Sequence, residues 1–275
     1  MRQKKQIGNL ITLLLFSIFF LLPIIYTITN SFMSSAEINQ YYGGDAVTFH
    51  LIPDQFTLRA YKEILWDSPF YLIKFWISIL ISGLIVCGQL LVSITAGYAF
   101  AKFNFWGRDI LFFIIIIIMM MPYQVTLVSN YIVLDQMHLI GTYAALILPA
   151  VFSPFGVFLL RQMISTMPTD ITDAARLDGA GEFTILRKIV VPYSKSGIIA
   201  LIVLSFIDSW NMVEQPIVFL NNPYRYPLSI FLSRLSSNNP GAVFACGVLA
   251  MLPALLLFAY CKDDMIQGIR FTGLK

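Results

Sequence analysis

Two acids interrupt an otherwise apolar run. Asp208 and Glu214 lie within residues 196–219, with Trp210 and Asn211 between them. An ionisable group in such surroundings passes a cation or proton, or accepts hydrogen bonds from a hydroxylated solute. Six residues apart on an ideal helix, the two carboxylates point about 120° apart, so they need not face one cavity. The pattern predicts that Asn211 and one of the two acids line a polar path. The competing reading sets Glu214 at a water interface and pairs Asp208 with a neighbouring helix. Trp210 offers a face for a sugar ring, although tryptophan at interface depth also serves as an anchor. The rest of the chemical inventory is negative. There is no Gly-x-x-x-x-Gly-Lys-Ser/Thr to cradle a nucleotide, no His-Glu-x-x-His and no nucleophile elbow. His50 and His138 are far apart in sequence and read as surface residues, and Cys87, Cys246 and Cys261 fit no zinc or redox spacing. The chain is therefore expected not to be an enzyme, to hold no metal and no cofactor, and to leave any ATP hydrolysis to another chain.

A second group of residues is chemical in a different sense. Thr169 to Lys195 reads TDITDAARLDGAGEFTILRKIVVPYSK and carries Asp170, Asp173, Arg176, Asp178, Glu182, Arg187, Lys188 and Lys195. A bilayer core cannot host that charge density, so the stretch lies in water. Its pattern predicts two short helices. Thr169 or Asp170 caps the first, behind Pro168, and Gly179 and Gly181 end it. The second runs from Glu182 to Val191 and is stopped by Pro192. Ile171, Ala174, Ala175 and Asp178 share a face of the first by three- and four-residue spacing. Paired alanines keep that face flat, which suits close approach of another protein's backbone.

The elements that position these groups follow from composition. The 275 residues are 58% hydrophobic and 12% charged, with a mean hydropathy of +0.77. Soluble domains carry about 25% charge, so the chain reads as an all-α integral membrane protein. The net charge of +3 is not gathered into a basic patch, which argues against a nucleic-acid partner. The first apolar run, Leu10 to Ile28, is long enough to cross a bilayer at about 20 residues. It exceeds a signal peptide's apolar region, so it is read as an uncleaved span despite the small residues Ser34-Ser35-Ala36, and Pro23 is expected to kink it. Uncharged stretches of 27, 25 and 22 residues separate Lys74 from Lys102, Asp109 from Asp135 and His138 from Arg161, one span each. Residues 196–219 form the fifth span and the run from Gly241 to Cys261 the sixth. Gly83, Gly88, Ser93 and Gly97 in the second span permit close helix packing in lipid. Residues 37–68, broken at Gly43-Gly44, Pro53 and Pro69, and the polar stretch 221–240 are expected outside. With both termini in the cytoplasm, thirteen of the eighteen Lys and Arg fall inside and five outside, as the positive-inside rule requires.

One family matches this arrangement. Permease subunits of binding-protein-dependent ABC importers carry a cytoplasmic loop with Glu-Ala-Ala, three residues, Gly, nine residues, then Ile-x-Leu-Pro. The chain resembles it with Asp173-Ala174-Ala175, Gly179, and Ile189-Val190-Val191-Pro192 at the same spacing; Asp173 stands for Glu and Val191 for Leu. Two further stretches resemble the carbohydrate-uptake, maltose-type branch. They are Trp210-Asn211 followed by Pro216, and the ending Asp264 to Ile269 with Thr272-Gly273-Leu274-Lys275. The resemblance implies a type-1 importer permease fold with six transmembrane helices, multi-pass in the bacterial plasma membrane. It divides the chain into a first span and external segment (1–70), a transmembrane domain (71–262) with its coupling loop at 161–196, and a cytoplasmic tail (263–275). Asp173, Ala174, Ala175, Gly179, Ile189 and Pro192 would meet an ATPase, and Asp208, Trp210, Asn211 and Glu214 are the substrate-path candidates. The implied partners are a second permease subunit, two ATP-binding subunits that carry the ATP and Mg, and an extracellular or periplasmic solute-binding protein, besides membrane lipid. The implied cargo is a sugar or oligosaccharide. A stand-alone ion-coupled transporter is the rival reading; it would rely on Asp208 and Glu214 and leaves the charged loop without a role.

Overall fold

The structure, a computed structural model, describes residues 2–42, 50–67, 70–234 and 239–272, with side chains from residue 9 to residue 264 of these. Gly43-Gly44, Ser68-Pro69 and the ending Gly273-Leu274-Lys275 lie outside the described residues. Every regular element among those described is helical. Packing separates two units, residues 1–75 with 231–252 and residues 76–230 with 253–275.

The first unit opens with α1 (Arg2–Asn30), which runs through Pro23. Residues 9–23 of this helix are exposed throughout. Short helices α2 (Ser35–Tyr42) and α3 (Arg59–Lys62) follow, the latter running into a π turn over Glu63–Asp67. The segment 37–67 is thus partly helical, and Glu37 in it is buried.

α4 (Phe70–Lys102) has 33 residues, about 50 Å of helix, more than a 30 Å hydrocarbon core requires. In the second unit come α5 (Arg108–Met120), α6 (Tyr123–Gln136), α7 (Ala144–Val151), α8 (Pro154–Ser165), α9 (Thr169–Leu177), α10 (Glu182–Ile185), α11 (Val191–Tyr193), α12 (Lys195–Trp210) and α13 (Glu214–Phe219). α14 (Leu228–Ser233) and α15 (Pro240–Thr272) end the order. Among the described residues, four stretches are long and apolar enough to cross a membrane without a sharp bend: 9–30, 70–102, 144–165 and 240–264. Two more qualify as bent pairs, α5 with α6 at 105° and Glu182–Tyr193 with α12 at 78°, giving six when each pair is counted once.

Two of the expected spans are each built from two helices. Met121 precedes Pro122 and is driven to an extended conformation, ψ 129°, which ends α5. The expected fifth span, 196–219, is likewise two helices. α12 stops at Trp210, Asn211 caps it through its amide to the Ile207 carbonyl (2.9 Å), and α13 starts afresh.

Small residues set the packing between α4 and the helices beside it. A Cβ on Gly88 would meet Val151 at 2.5 Å, one on Gly156 the Ser93 hydroxyl at 2.3 Å, and one on Gly97 the Arg161 backbone at 3.1 Å. Gly83 has no neighbour so near and plays no such part. The stretch 221–240 also departs from a simple external loop. Tyr224 is exposed, but Tyr226, Leu228 and Ile230 are buried with Ile81, Ile85, Leu146 and Phe219. The Leu228 N–H donates to Ser78 Oγ at 2.7 Å and Ser229 Oγ to the Met212 carbonyl at 2.6 Å.

Candidate functional site

The charged stretch folds as two helices meeting at a glycine. Pro168, extended at ψ 137°, is the residue before α9, and no side chain caps the helix; Thr169 is already helical and Thr172 Oγ1 donates back to its carbonyl at 2.7 Å. The expected cap by Thr169 or Asp170 is therefore not made. Gly179 behaves as expected, with φ +82° in the left-handed region. Its N–H donates to the Arg176 carbonyl and that of Ala180 to the Ala175 carbonyl, both at 3.0 Å, a Schellman closure.

The second helix does not stop at Pro192. It continues to Tyr193 and breaks at Ser194, because Leu186–Val190 winds as a π turn before the proline. The wider turn makes room for the pyrrolidine ring and leaves no i−4 bond for it to break.

Ile185 and Val190 are fully buried against Leu160, Ile164, Met167 and Leu201, with Ala175 and Ile189 half-buried around them. Lys102 Nζ donates to the Met167 carbonyl at 2.5 Å, fixing the turn into α9. Polar groups clamp the two helices together. Arg176 donates to Asp173 Oδ1 from Nη1 and to Glu182 Oε1 from Nε, both at 2.8 Å, and the Tyr98 hydroxyl donates to Glu182 Oε2 at 2.6 Å. Asp173 is thus held sideways on its own helix. The predicted flat face is rotated, with Ala175 turning inward while Asp170, Ala174 and Leu177 face out. Leu177 is 89% exposed and Phe183 75% exposed. The sequence reading passed over both, since single apolar residues among charges give no periodic signal.

The Arg176 guanidinium, and after it the Tyr98 hydroxyl, hold the Glu182 carboxyl below its ordinary range. A depressed carboxylate stabilises the fold above its unfolded pKa and loses that contribution as pH falls through the folded one. Amides 177–184 are therefore expected to keep constant hydrogen-exchange protection from neutral pH into the mildly acidic range, with loss only below about pH 4. Glu182→Gln should show part of that loss already at pH 7. Equal protection in variant and parent would remove the clamp from the account.

Elsewhere in the second unit, a cavity of about 160 Å³ is lined by Gln89, Tyr123, Asn130, Asp208, Ser209 and Gln215, with Leu146, Met212 and Phe219 among its apolar walls. Of the four predicted path residues only Asp208 reaches it. Asn211 caps α12, and Trp210 is buried, stacked on Phe206 at 5.5 Å between centroids. Glu214 accepts from Gln124 Nε2 at 3.1 Å and ties α13 to α6. The amides of Gln89, Asn130 and Gln215 were missed because each lies on a different helix. Gln89 is the best anchored. Its Nε2 donates to the Ala150 carbonyl at 2.7 Å, and its Oε1 accepts from the Ser205 hydroxyl. The Ala150 carbonyl needs a partner because α7 ends at Val151, where Phe152 and Ser153 turn extended before Pro154.

Comparison with known proteins agrees with this architecture. The profile of the family described as binding-protein-dependent transport system inner membrane component matches residues 89–262. The chain is similar to the arabinooligosaccharides transport system permease protein AraQ of Halalkalibacterium halodurans, 31% identical over 256 residues, 92% of this chain and 90% of that one. It is 29% identical over 283 residues to the sn-glycerol-3-phosphate transport system permease protein UgpE of Brucella abortus, covering 98% of each. In fold it is similar to a chain of a bacterial ABC transporter involved in the import of the acidic polysaccharide alginate. That match has a TM-score of 0.83 at 23% identity and covers 95% of this chain and 96% of the other. With a family profile spanning most of the chain and apolar helices enough for four to six crossings, this chain belongs to the binding-protein-dependent transport system inner membrane components and is a multi-pass permease subunit of an ABC importer in the bacterial plasma membrane.

Proposed function

We propose that this permease forms half of a translocation pathway for a neutral sugar or oligosaccharide and is driven through the α9–α10 loop by a separate ATPase. The observation that carries the reading is the loop itself. It is a glycine-hinged helix pair, clamped by Arg176 and backed by a packed core, that presents Ala174, Leu177 and Phe183 outward. A rigid apolar face on a charged segment suits docking to another protein. The implied assembly contains a second permease, two ATP-binding subunits holding ATP and Mg, and an external solute-binding protein, with both termini of this chain in the cytoplasm.

The cavity lining supports this solute class. Gln89, Asn130 and Gln215 offer amides and Asp208 a carboxylate, which together donate and accept as hydroxyl groups demand. No lysine or arginine lines it, which disfavours a phosphorylated cargo such as the one named for the Brucella relative. The name of the Halalkalibacterium relative, with its oligosaccharide, points the same way. Asp208→Ala is expected to lower uptake of labelled oligosaccharide by about tenfold or more, the loss of one charged hydrogen bond, whereas Glu214→Gln changes it little. Undiminished uptake in Asp208→Ala would take that residue out of the path.

The test of the whole reading is co-purification from native membranes. A second permease and a nucleotide-binding ATPase should come down with the tagged chain, and binding protein plus oligosaccharide should stimulate hydrolysis. Uptake by the chain alone under a proton or sodium gradient would instead establish the ion-coupled transporter.

A further inference from the structure

The first unit contains a cluster that the importer function does not use. Glu37 lies in the first turn of α2, and His50 and Asp54 lie on the segment that returns past it. Their ligand atoms, two carboxylate oxygens and a ring nitrogen, all lie within 4.8 Å of one another. We propose that Glu37, His50 and Asp54 form a binding site for one divalent transition cation of the zinc type, fixing α2 to residues 50–54.

Three observations support it. First, His50 Nε2 is a buried nitrogen without a hydrogen-bond partner among the described residues. It stands 3.4 Å from Asp54 Oδ1 without hydrogen-bonding to it. Two ligands on a tetrahedral zinc, with bonds of 2.0–2.2 Å, stand about 3.4 Å apart. Second, Glu37 is only 7% exposed, and among the described residues its carboxylate accepts one hydrogen bond, from the Asp54 N–H to Oε1 at 2.7 Å, which leaves Oε2 for a cation. Burying a carboxylate with a single neutral donor is unfavourable, and a metal ion resolves that. Third, each ligand is oriented from behind, as ligands of built metal sites are. Tyr41 donates its hydroxyl to Asp54 Oδ2 at 2.6 Å and stacks on the His50 ring at 4.0 Å between centroids. The Tyr42 hydroxyl donates to the His50 carbonyl, and the Asp54 backbone positions Glu37. An imidazole with two carboxylates suits zinc over magnesium or calcium, which take oxygen ligands. The fourth position is left to water or to a group from a partner. The proposal departs from the sequence expectation that His50 is a plain surface residue and that the chain has no metal site.

The test uses the full chain in nanodiscs, stripped with chelator and dialysed against zinc chloride. One zinc per chain at micromolar affinity or tighter is expected. His50→Ala should weaken binding at least about 100-fold and Tyr41→Phe about tenfold, while His138→Ala leaves it unchanged. Cobalt should give weak d–d bands without the thiolate charge-transfer band that Cys87, Cys246 or Cys261 would produce. Tyr41→Phe retains all three ligands and gives the answer if His50→Ala does not fold. Absence of stoichiometric binding, binding indifferent to both substitutions, or a thiolate band would each overturn the proposal.

Discussion

A chain with valine at Gly179 is expected to insert and fold but to lose oligosaccharide uptake by about two orders of magnitude. Gly179 sits at φ +82°, and a Cβ built there meets nothing within 4 Å. The penalty is therefore in the backbone alone, since a β-branched residue in the left-handed region is a genuine outlier. Relief comes only by leaving that region, which breaks both closing hydrogen bonds of α9 and swings Ala174 and Leu177 away from Phe183. The substitutions should form a series. Asparagine, which tolerates the left-handed region, keeps most uptake; alanine is intermediate; valine is worst. The same order should appear in the amount of ATPase recovered with the chain. A valine variant that transports at the parental rate would show that the loop geometry is not used for coupling, and with it the proposed mechanism would fail.

Gln89→Leu is expected to lower stability by about 2–4 kcal/mol, seen as a lower thermal midpoint in nanodiscs and poorer membrane yield. The Ser205 hydroxyl is a small part of this, because it can turn to a carbonyl of its own helix. The Ala150 carbonyl has no such option, being at the frayed end of α7 within the apolar layer. Ser205→Ala added to Gln89→Leu should therefore bring little further loss. If the single substitution leaves the midpoint unmoved, another group must satisfy Ala150, and the account of how α7 tolerates its break is wrong.

The membrane character of the chain was legible because apolar run length is a direct measure of what a bilayer admits. The hinge in the charged loop was legible too, because Gly179 is the residue that a left-handed helix end selects. What was not legible depended on partners distant in sequence. Pro122 and Pro154 look alike within apolar runs, yet the chain turns by 105° at one, while the other lies within a stretch that counts as a single span. Which occurs is decided by the groups, such as Gln89, that receive the freed carbonyls. The structure sets Asp208 at the cavity, uses Asn211 to cap α12, buries Trp210 and joins Glu214 to Gln124. Spacing along one helix says nothing of where that helix ends, and α12 ends just there. Residues 226–230 were read as loop because so short an apolar stretch has no period to detect.

Residues 9–23 of α1 are exposed throughout, and this determines how that stretch can evolve. A buried helix stores specific information, since each side chain must complement a neighbour. Here the order of Leu, Ile and Phe carries almost none that this polypeptide reads; only the sum of their transfer energies is read, by lipid. Neutral drift should run freely among large aliphatic and aromatic residues up to about Pro23, and stop where Tyr26 packs edge-on against Phe244. Any order that selection does preserve in that stretch was written by a different molecule.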